Sequence, residues 1–294
     1  MKSVVIGTVQ FTRSCLAHLI STGAAPAGVV TRRASPTNAD FARLDDLCDG
    51  AGIRLHYTDD INGAETLVWL RRMAPDAIFC FGWSRLLGAE LLAIPPKGIV
   101  GYHPALLPQN RGRHPIIWAL ALGLEETGST FFCMDEGVDS GDILSQRRIP
   151  IGPDGDAGTL YRRMTETALA QLDELLPRLA DGTASRTPQD PTVANTWRKR
   201  SAADGRIDWR MPARGVHNLV RALAPPYPGA TVRRGEKDYI VWRTRLDGAG
   251  APRNAEPGKV LAVHDGEIVA KAGDGAVTLT RHEIEPLPRA GDYL

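Results

Sequence analysis

Long apolar runs are missing from this 294-residue chain: nowhere do about 18 apolar residues follow one another, so no segment reads as a bilayer-crossing helix. An excess of one charge is missing too. Against 35 Lys and Arg stand 34 Asp and Glu, and the net +1 argues against a partner held mainly through a phosphate backbone. Cysteine is sparse. Cys15, Cys48, Cys80 and Cys133 stand singly among apolar neighbours, without the CxxC or Cys/His spacing of a zinc site, and read as buried reduced thiols. No apolar leader precedes the strand-like run Ser3 to Gly7, so the chain reads as soluble and cytoplasmic, with no membrane partner. Glycine is absent where a dinucleotide fingerprint requires it: Thr8-Val9-Gln10 follows Gly7 where GxGxxG needs glycine two residues on, which rejects an NAD site there.

What is present is an alternation of short β-branched runs with helical spacing. Ser3–Gly7 reads as a strand and Cys15, Leu16, Leu19 and Ile20 as a helix; Ala27–Thr31 is a strand and Phe41–Ala51 a helix. Ile53–His56, a helix over Ala64–Met73 and the apolar strand Asp76–Phe81 follow, then a helix over Leu86–Leu92, a strand at Ile99–Tyr102, a helix over Pro115–Leu122 and a strand at Ser129–Met134. This order predicts an α/β fold, a Rossmann-like, mostly parallel sheet with helices on both faces, in which ligands bind outside the carboxyl ends of the strands. Gly158–Leu179, with Leu160, Met164, Ala168, Leu172, Leu175 and Leu176 apolar, is a long amphipathic helix closing the first domain. The Gly, Pro, Thr and Ser between Ala180 and Asn195 read as a linker. After a helix over Pro212–Leu223 come short β runs at Tyr239–Trp242, Gly258–Val263, Glu267–Ala270 and Ala276–Thr280, which fit a small OB-like β-barrel. The domains expected are residues 1–180, a linker at 181–198, and a β-rich domain at 199–294.

Chemistry gathers between Gly98 and Asp142. Pro104 keeps the residue before it out of the helical region, so His103 ends a strand. Thirty-six positions on, at Asp139, lies the loop Asp135-Glu136-Gly137-Val138-Asp139-Ser140-Gly141-Asp142, expected at the same sheet edge. A histidine there can act as general acid or base, and an adjacent aspartate would fix its tautomer and favour the imidazolium. Taken singly, a hydrogen-bonded structural histidine and a turn rich in Asp and Gly explain these residues as well. The three aspartates do not follow the EF-hand ligand order.

Taken together the residues resemble a known family. His103-Pro104-Ala105-Leu106-Leu107-Pro108, Arg111-Gly112, Pro115, Glu126-Thr127-Gly128-Ser129-Thr130 and Asp139-Ser140-Gly141-Asp142-Ile143-Leu144 look like the folate-dependent formyltransferases. Trp197–Arg200, Asp204–Trp209, Arg221-Ala222-Leu223, Pro226–Ala230 and Pro257–Val260 resemble the second domain of the methionyl-tRNA and sugar formyltransferases, with the sugar-modifying branch the nearer. The resemblance implies an enzyme that moves a formyl group from N10-formyltetrahydrofolate, as cosubstrate, to an amine. By position, His103 and Asp139 are the catalytic pair. Arg85, Leu86, Leu87, Arg113, Asp135, Glu136, Gly137 and Val138 are the folate-binding residues, and no metal is implied. There is one main departure. The family carries asparagine two residues before the histidine as an oxyanion donor, where this chain has Gly101.

The acceptor expected is a small-molecule amine, a nucleotide-linked amino sugar. A diphosphate carries few charges, which Arg32, Arg198, Lys199 and Arg200 suffice to meet, and Trp197 and Tyr227 are candidates to stack on base or sugar. Methionyl-tRNA ranks second, because Arg32-Arg33 lead only into the short polar loop Ala34–Asn38 rather than a basic insertion. Hydroxyornithine is a third acceptor, a folate- or nucleotide-binding protein without catalysis is the alternative of another class, and a homodimer is compatible with all of these.

Overall fold

The computed structural model describes residues 1–35, 38–246 and 251–294. The expected polar loop after Arg33 lies partly outside the described residues. The chain forms two compact units, the first made of Met1–Gly112, Gly128–Ile149 and Arg162–Trp197, the second of Arg113–Thr127, Pro150–Tyr161 and Arg198–Leu294.

In the first unit, strands β1 (Ser3–Gly7), β2 (Gly28–Thr31), β3 (Arg54–Tyr57), β4 (Ala77–Phe81) and β5 (Ile99–His103) alternate with helices α1 (Gln10–Ser21), α2 (Asp45–Ala51), α3 (Ala64–Met73) and the single turn α4 (Ala89–Leu92). Strands β7 (Glu126–Cys133) and β8 (Ile143–Pro150) complete a seven-stranded sheet in the order β3-β2-β1-β4-β5-β7-β8. The pairings from β3 through β5 are parallel. Every residue of β1 and β4 is buried, as a strand covered on both faces requires. Alternate residues feed two cores. Val4, Ile6, Val30, Ile78 and Cys80 join Leu67, Leu70 and Met73 of α3 and Leu91 of α4. On the other face Phe11 of α1 meets Phe81 edge-on at 5.8 Å between centroids, and Phe81 meets Phe131 at 5.8 Å. Helix α6 (Ala157–Asp181) buries Leu160, Met164, Ala168, Leu172, Leu175 and Leu179. Gln171 sits fully buried on the same stripe because its carboxamide is satisfied by Ser129 and Ser145.

Two expectations give way here. The helix read over Leu86–Leu92 is only α4, since Gly88 stands in extended backbone as its cap, and Arg85, Leu86 and Leu87 lie in irregular chain before it. Strand β7 pairs with β5 antiparallel, Thr130 opposite His103 and Cys133 opposite Val100. Its end therefore lies beside the start of β5, and the acidic loop reaches His103 by folding back rather than by leaving a neighbouring tip. A parallel return needs a helix crossing the sheet. The helix between these strands, α5 (Pro115–Ala121), belongs instead to the second unit. Strand β8 was not expected, because the polar run Gln146-Arg147-Arg148 interrupts its apolar pattern.

In the second unit, α5 packs on α7 (Ala213–Ala222) beside a barrel-like antiparallel sheet. Its strands β10 (Ala230–Arg234), β11 (Lys237–Arg245), β12 (Val260–His264), β13 (Glu267–Lys271) and β14 (Ala276–His282) run in the order β10-β11-β14-β13-β12. Register shifts in the β11–β14 and β12–β13 pairings bend it. Strand β10 is the one absent from the sequence reading. A two-residue parallel ladder, β6 (Arg111–Gly112) with β9 (Thr196–Trp197), lies in the first unit.

Candidate active site

His103 ends β5 with its side chain 6% exposed. Its Nε2 lies 2.7 Å from the backbone carbonyl of Asn110. A carbonyl only accepts, so Nε2 carries a hydrogen in either charge state, and the hydrogen that comes and goes belongs to Nδ1. That nitrogen faces Asp139 Oδ2 at 3.5 Å. The gap exceeds a normal hydrogen bond, and the same Oδ2 accepts at 2.9 Å from the Gly112 N–H. Asn110 and Asp139 both adopt left-handed backbone, φ 64° and 50°, which short polar residues tolerate best. Gly112 is required as glycine: its φ is 98°, and a Cβ there would stand 2.3 Å from the Trp197 carbonyl oxygen.

Gln189, in the segment read as a linker, holds the Asp139 loop. Its Nε2 donates to the carbonyls of Asp139 and Gly141 at 2.9 and 2.7 Å, and its Oε1 accepts from Arg111 at 2.7 and 3.1 Å. Asn195 Oδ1 accepts from the Asn110 N–H at 2.7 Å, so the residue whose carbonyl meets His103 is tethered too. Neither residue carried a sequence signal, because a Gln or Asn among Thr, Ser and Pro looks like ordinary solvated loop.

The space where an asparagine at position 101 would reach is filled. A Cβ on Gly101 would lie 2.8 Å from the Phe132 ring and 2.9 Å from Met134. Cys80, opposite Gly101 on β4, is a buried thiol pushed up to about 12 by burial, with Asp139 adding to the effect. It stays protonated. Tyr102 is likewise shifted up by burial and is no acid at neutral pH.

The residues expected to meet folate fall in different places. Asp135, Glu136, Gly137 and Val138 are all exposed. The Asp135 carboxylate accepts from Gly137 N–H at 3.0 Å and Ser140 Oγ at 2.8 Å, so its first task is to shape the loop. Arg85 is exposed and donates to the Asp59 carbonyl at 2.7 Å, and Asn62 ties the loop by bonding Leu86 O and Gly88 N. Leu87 is buried, whereas Leu86 is 57% and Val138 44% exposed. Arg113 lies in the second unit, beside His114. There Arg198 and Arg200 lie over the Trp118 ring, 5.2 and 4.7 Å from its centroid, Arg198 pairs with Asp204, and His114 Nδ1 accepts from the Arg200 N–H at 3.3 Å.

The sequence profile described as formyl transferase matches residues 1–176, and that of its C-terminal domain matches residues 199–287. The chain belongs to the formyl transferase family. Solved structures share the fold at low identity. HypX from Aquifex aeolicus, in complex with tetrahydrofolic acid, is 20% identical with a TM-score of 0.68 over 97% of this chain and 44% of that one. The chain thus spans less than half of the HypX chain. An N-formyltransferase from Helicobacter canadensis, in complex with folinic acid and dTDP-3-aminofucose, is 14% identical with a TM-score of 0.72, covering 96% of this chain and 100% of that one. A sugar N-formyltransferase from a Shewanella species is 17% identical with a TM-score of 0.67, over 82% and 96%.

Proposed function

We propose that this formyltransferase moves a formyl group from N10-formyltetrahydrofolate to the amine of a nucleotide-linked amino sugar. The observation that carries the reading is the His103–Asp139 pair, with Nε2 committed to a backbone carbonyl and Nδ1 left to exchange its proton beside a carboxylate. The bound folate supplies an activated formyl carbon, which the amine attacks as the bond to the folate nitrogen breaks. Bond formation leaves a surplus proton on the acceptor nitrogen, and the departing folate nitrogen needs one. His103 takes the first at Nδ1 and returns it to the second, and Asp139 stabilises the ring while it is charged. Exposed Leu86 and Val138 fit the flat face of a pterin, and the loop backbone at Asp135–Val138 offers donors and acceptors to its edge. Arg85 and Arg113 are the proposed cationic contacts.

A small acceptor is supported by the near-neutral chain and by the sugar N-formyltransferases that share the fold over most of their length. The test incubates the full chain with N10-formyltetrahydrofolate and a panel of nucleotide amino sugars, methionyl-tRNA and hydroxyornithine. Addition of a formyl group to an amino sugar is expected by mass spectrometry. Product only with one of the other acceptors would reassign the substrate, and no product with any of them would refute the reading.

A further inference from the structure

We infer that Thr31, Arg32 and Trp83 form a binding site for an oxyanion, a phosphate or carboxylate group carried by a substrate. Three buried side-chain polar atoms have no hydrogen-bond partner among the described residues: Thr31 Oγ1, Arg32 Nε and Trp83 Nε1. All three belong to residues leaving the carboxyl ends of β2 and β4, the strands on either side of β1. That is where the strand order reverses, and open α/β sheets bind ligands in the crevice outside such a point. Arg32 and Trp83 are in contact. The Arg32 guanidinium lies 5.0 Å from the centre of the Trp83 ring, so the two N–H groups are oriented by one stacked pair, and Thr31 is 1% exposed at the end of its strand.

The chemistry selects the ligand. Arginine and tryptophan nitrogens donate and do not accept, and the threonine hydroxyl can also donate, so the complement is a group of acceptor oxygens. The guanidinium charge favours an anion over a neutral acceptor. Asp59 does not satisfy the site: its Oδ1 stands 3.6 Å from Arg32 Nε, and its side chain is 93% exposed, free to swing into solvent when an anion arrives. Two further cations border the position. Arg85 donates to the Asp59 carbonyl, and Arg33 lies over the Tyr57 ring at 4.1 Å.

Phosphate on the acceptor and the glutamyl carboxylate on the folate share this chemistry, and only the choice of probes rests on the proposed function. The full chain, with 15N-labelled tryptophan indoles and the Trp83 resonance assigned through Trp83→Phe, is titrated with inorganic pyrophosphate, dTDP, folinic acid and the folinic acid analogue lacking glutamate. A saturable shift of the Trp83 indole signal is expected with at least one anion, weakened about tenfold or more in Arg32→Gln and less in Arg32→Lys. A shift with pyrophosphate or dTDP assigns the phosphate, and one with folinic acid but not its shortened analogue assigns the carboxylate. Because binding is read without turnover, a wrong acceptor leaves this result intact. A Trp83 signal unmoved by every probe at millimolar concentration, or equal affinity in folded Arg32→Gln, overturns the inference.

Discussion

His103 and Gly101 sit two residues apart on one strand and carry opposite lessons. On the proposed mechanism, removing His103 takes away the group that moves the proton, and removing Asp139 leaves the charged ring without its carboxylate. His103→Ala or Asp139→Asn is therefore expected to lower kcat by about a hundredfold or more in a formyl-transfer assay; near-normal turnover in either variant would remove it from that role. At Gly101 a missing asparagine suggests an easy repair. In related chemistry, loss of one oxyanion donor costs roughly 3 to 4 kcal/mol, so the proposed formyl transfer is expected to be slow. Yet Phe132 and Met134 already occupy the place of the side chain. Gly101→Asn is expected to destabilise the fold by about 1–3 kcal/mol through overpacking, read from denaturant unfolding, without raising turnover. The sequence exposed the departure, but only packing from β7 shows that the space has been reused.

At the scale of elements, the loop bearing Asp139 has no regular structure of its own, and its position comes from Gln189, Gly112 and the turn built on Asp135. Gln189→Leu removes two donors and one acceptor at once. It is expected to lower kcat more than it raises KM for the amine, because the Asp139 carboxylate loses its fixed distance from His103; a change confined to KM would argue that the segment contacts substrate instead. The strands β1, β4 and β5 were legible because buried parallel strands are continuous apolar runs. The direction of β7 was not, because nothing local to Glu126–Cys133 distinguishes a parallel neighbour from an antiparallel one. The short helix α4 was over-read for a related reason: Leu86, Leu87, Leu91 and Leu92 have helical spacing, but Leu86 faces solvent in a loop tied by Asn62.

For the molecule as a whole, three histidines are expected to weaken stability on the acid side of neutrality. His56, His114 and His217 are all shifted below their ordinary 6.5, in each case first by burial, and for His114 and His217 next by neighbouring arginines. Each is thus favoured neutral in the fold. Their contribution is fully present above about pH 6.5 and is lost as pH falls toward the lowered folded values, because the unfolded chain takes up protons that the folded one resists. Asp46 and Asp208, held down to about 2 by Arg13 and Arg210, remain ionised throughout that window and add no slope. The melting temperature should fall between about pH 7 and pH 5.5, and His217→Gln should make the fall shallower; an unchanged slope in that variant would contradict the assignment.

By itself the sequence determined the alternation of strands and helices, the barrel-like second unit and the family, because these rest on apolar periodicity and on motifs contiguous along the chain. It also named His103 and Asp139 as residues that could meet. The tertiary structure alone decided that β7 runs antiparallel, that a backbone carbonyl claims one nitrogen of His103, that Gln189 and Asn195 hold the site, and that Phe132 and Met134 fill the space beside Gly101. Each of these joins residues about 7 to 85 positions apart through distances of a few ångströms. Local propensity is blind to such pairings, since they exist only once the sheet has formed.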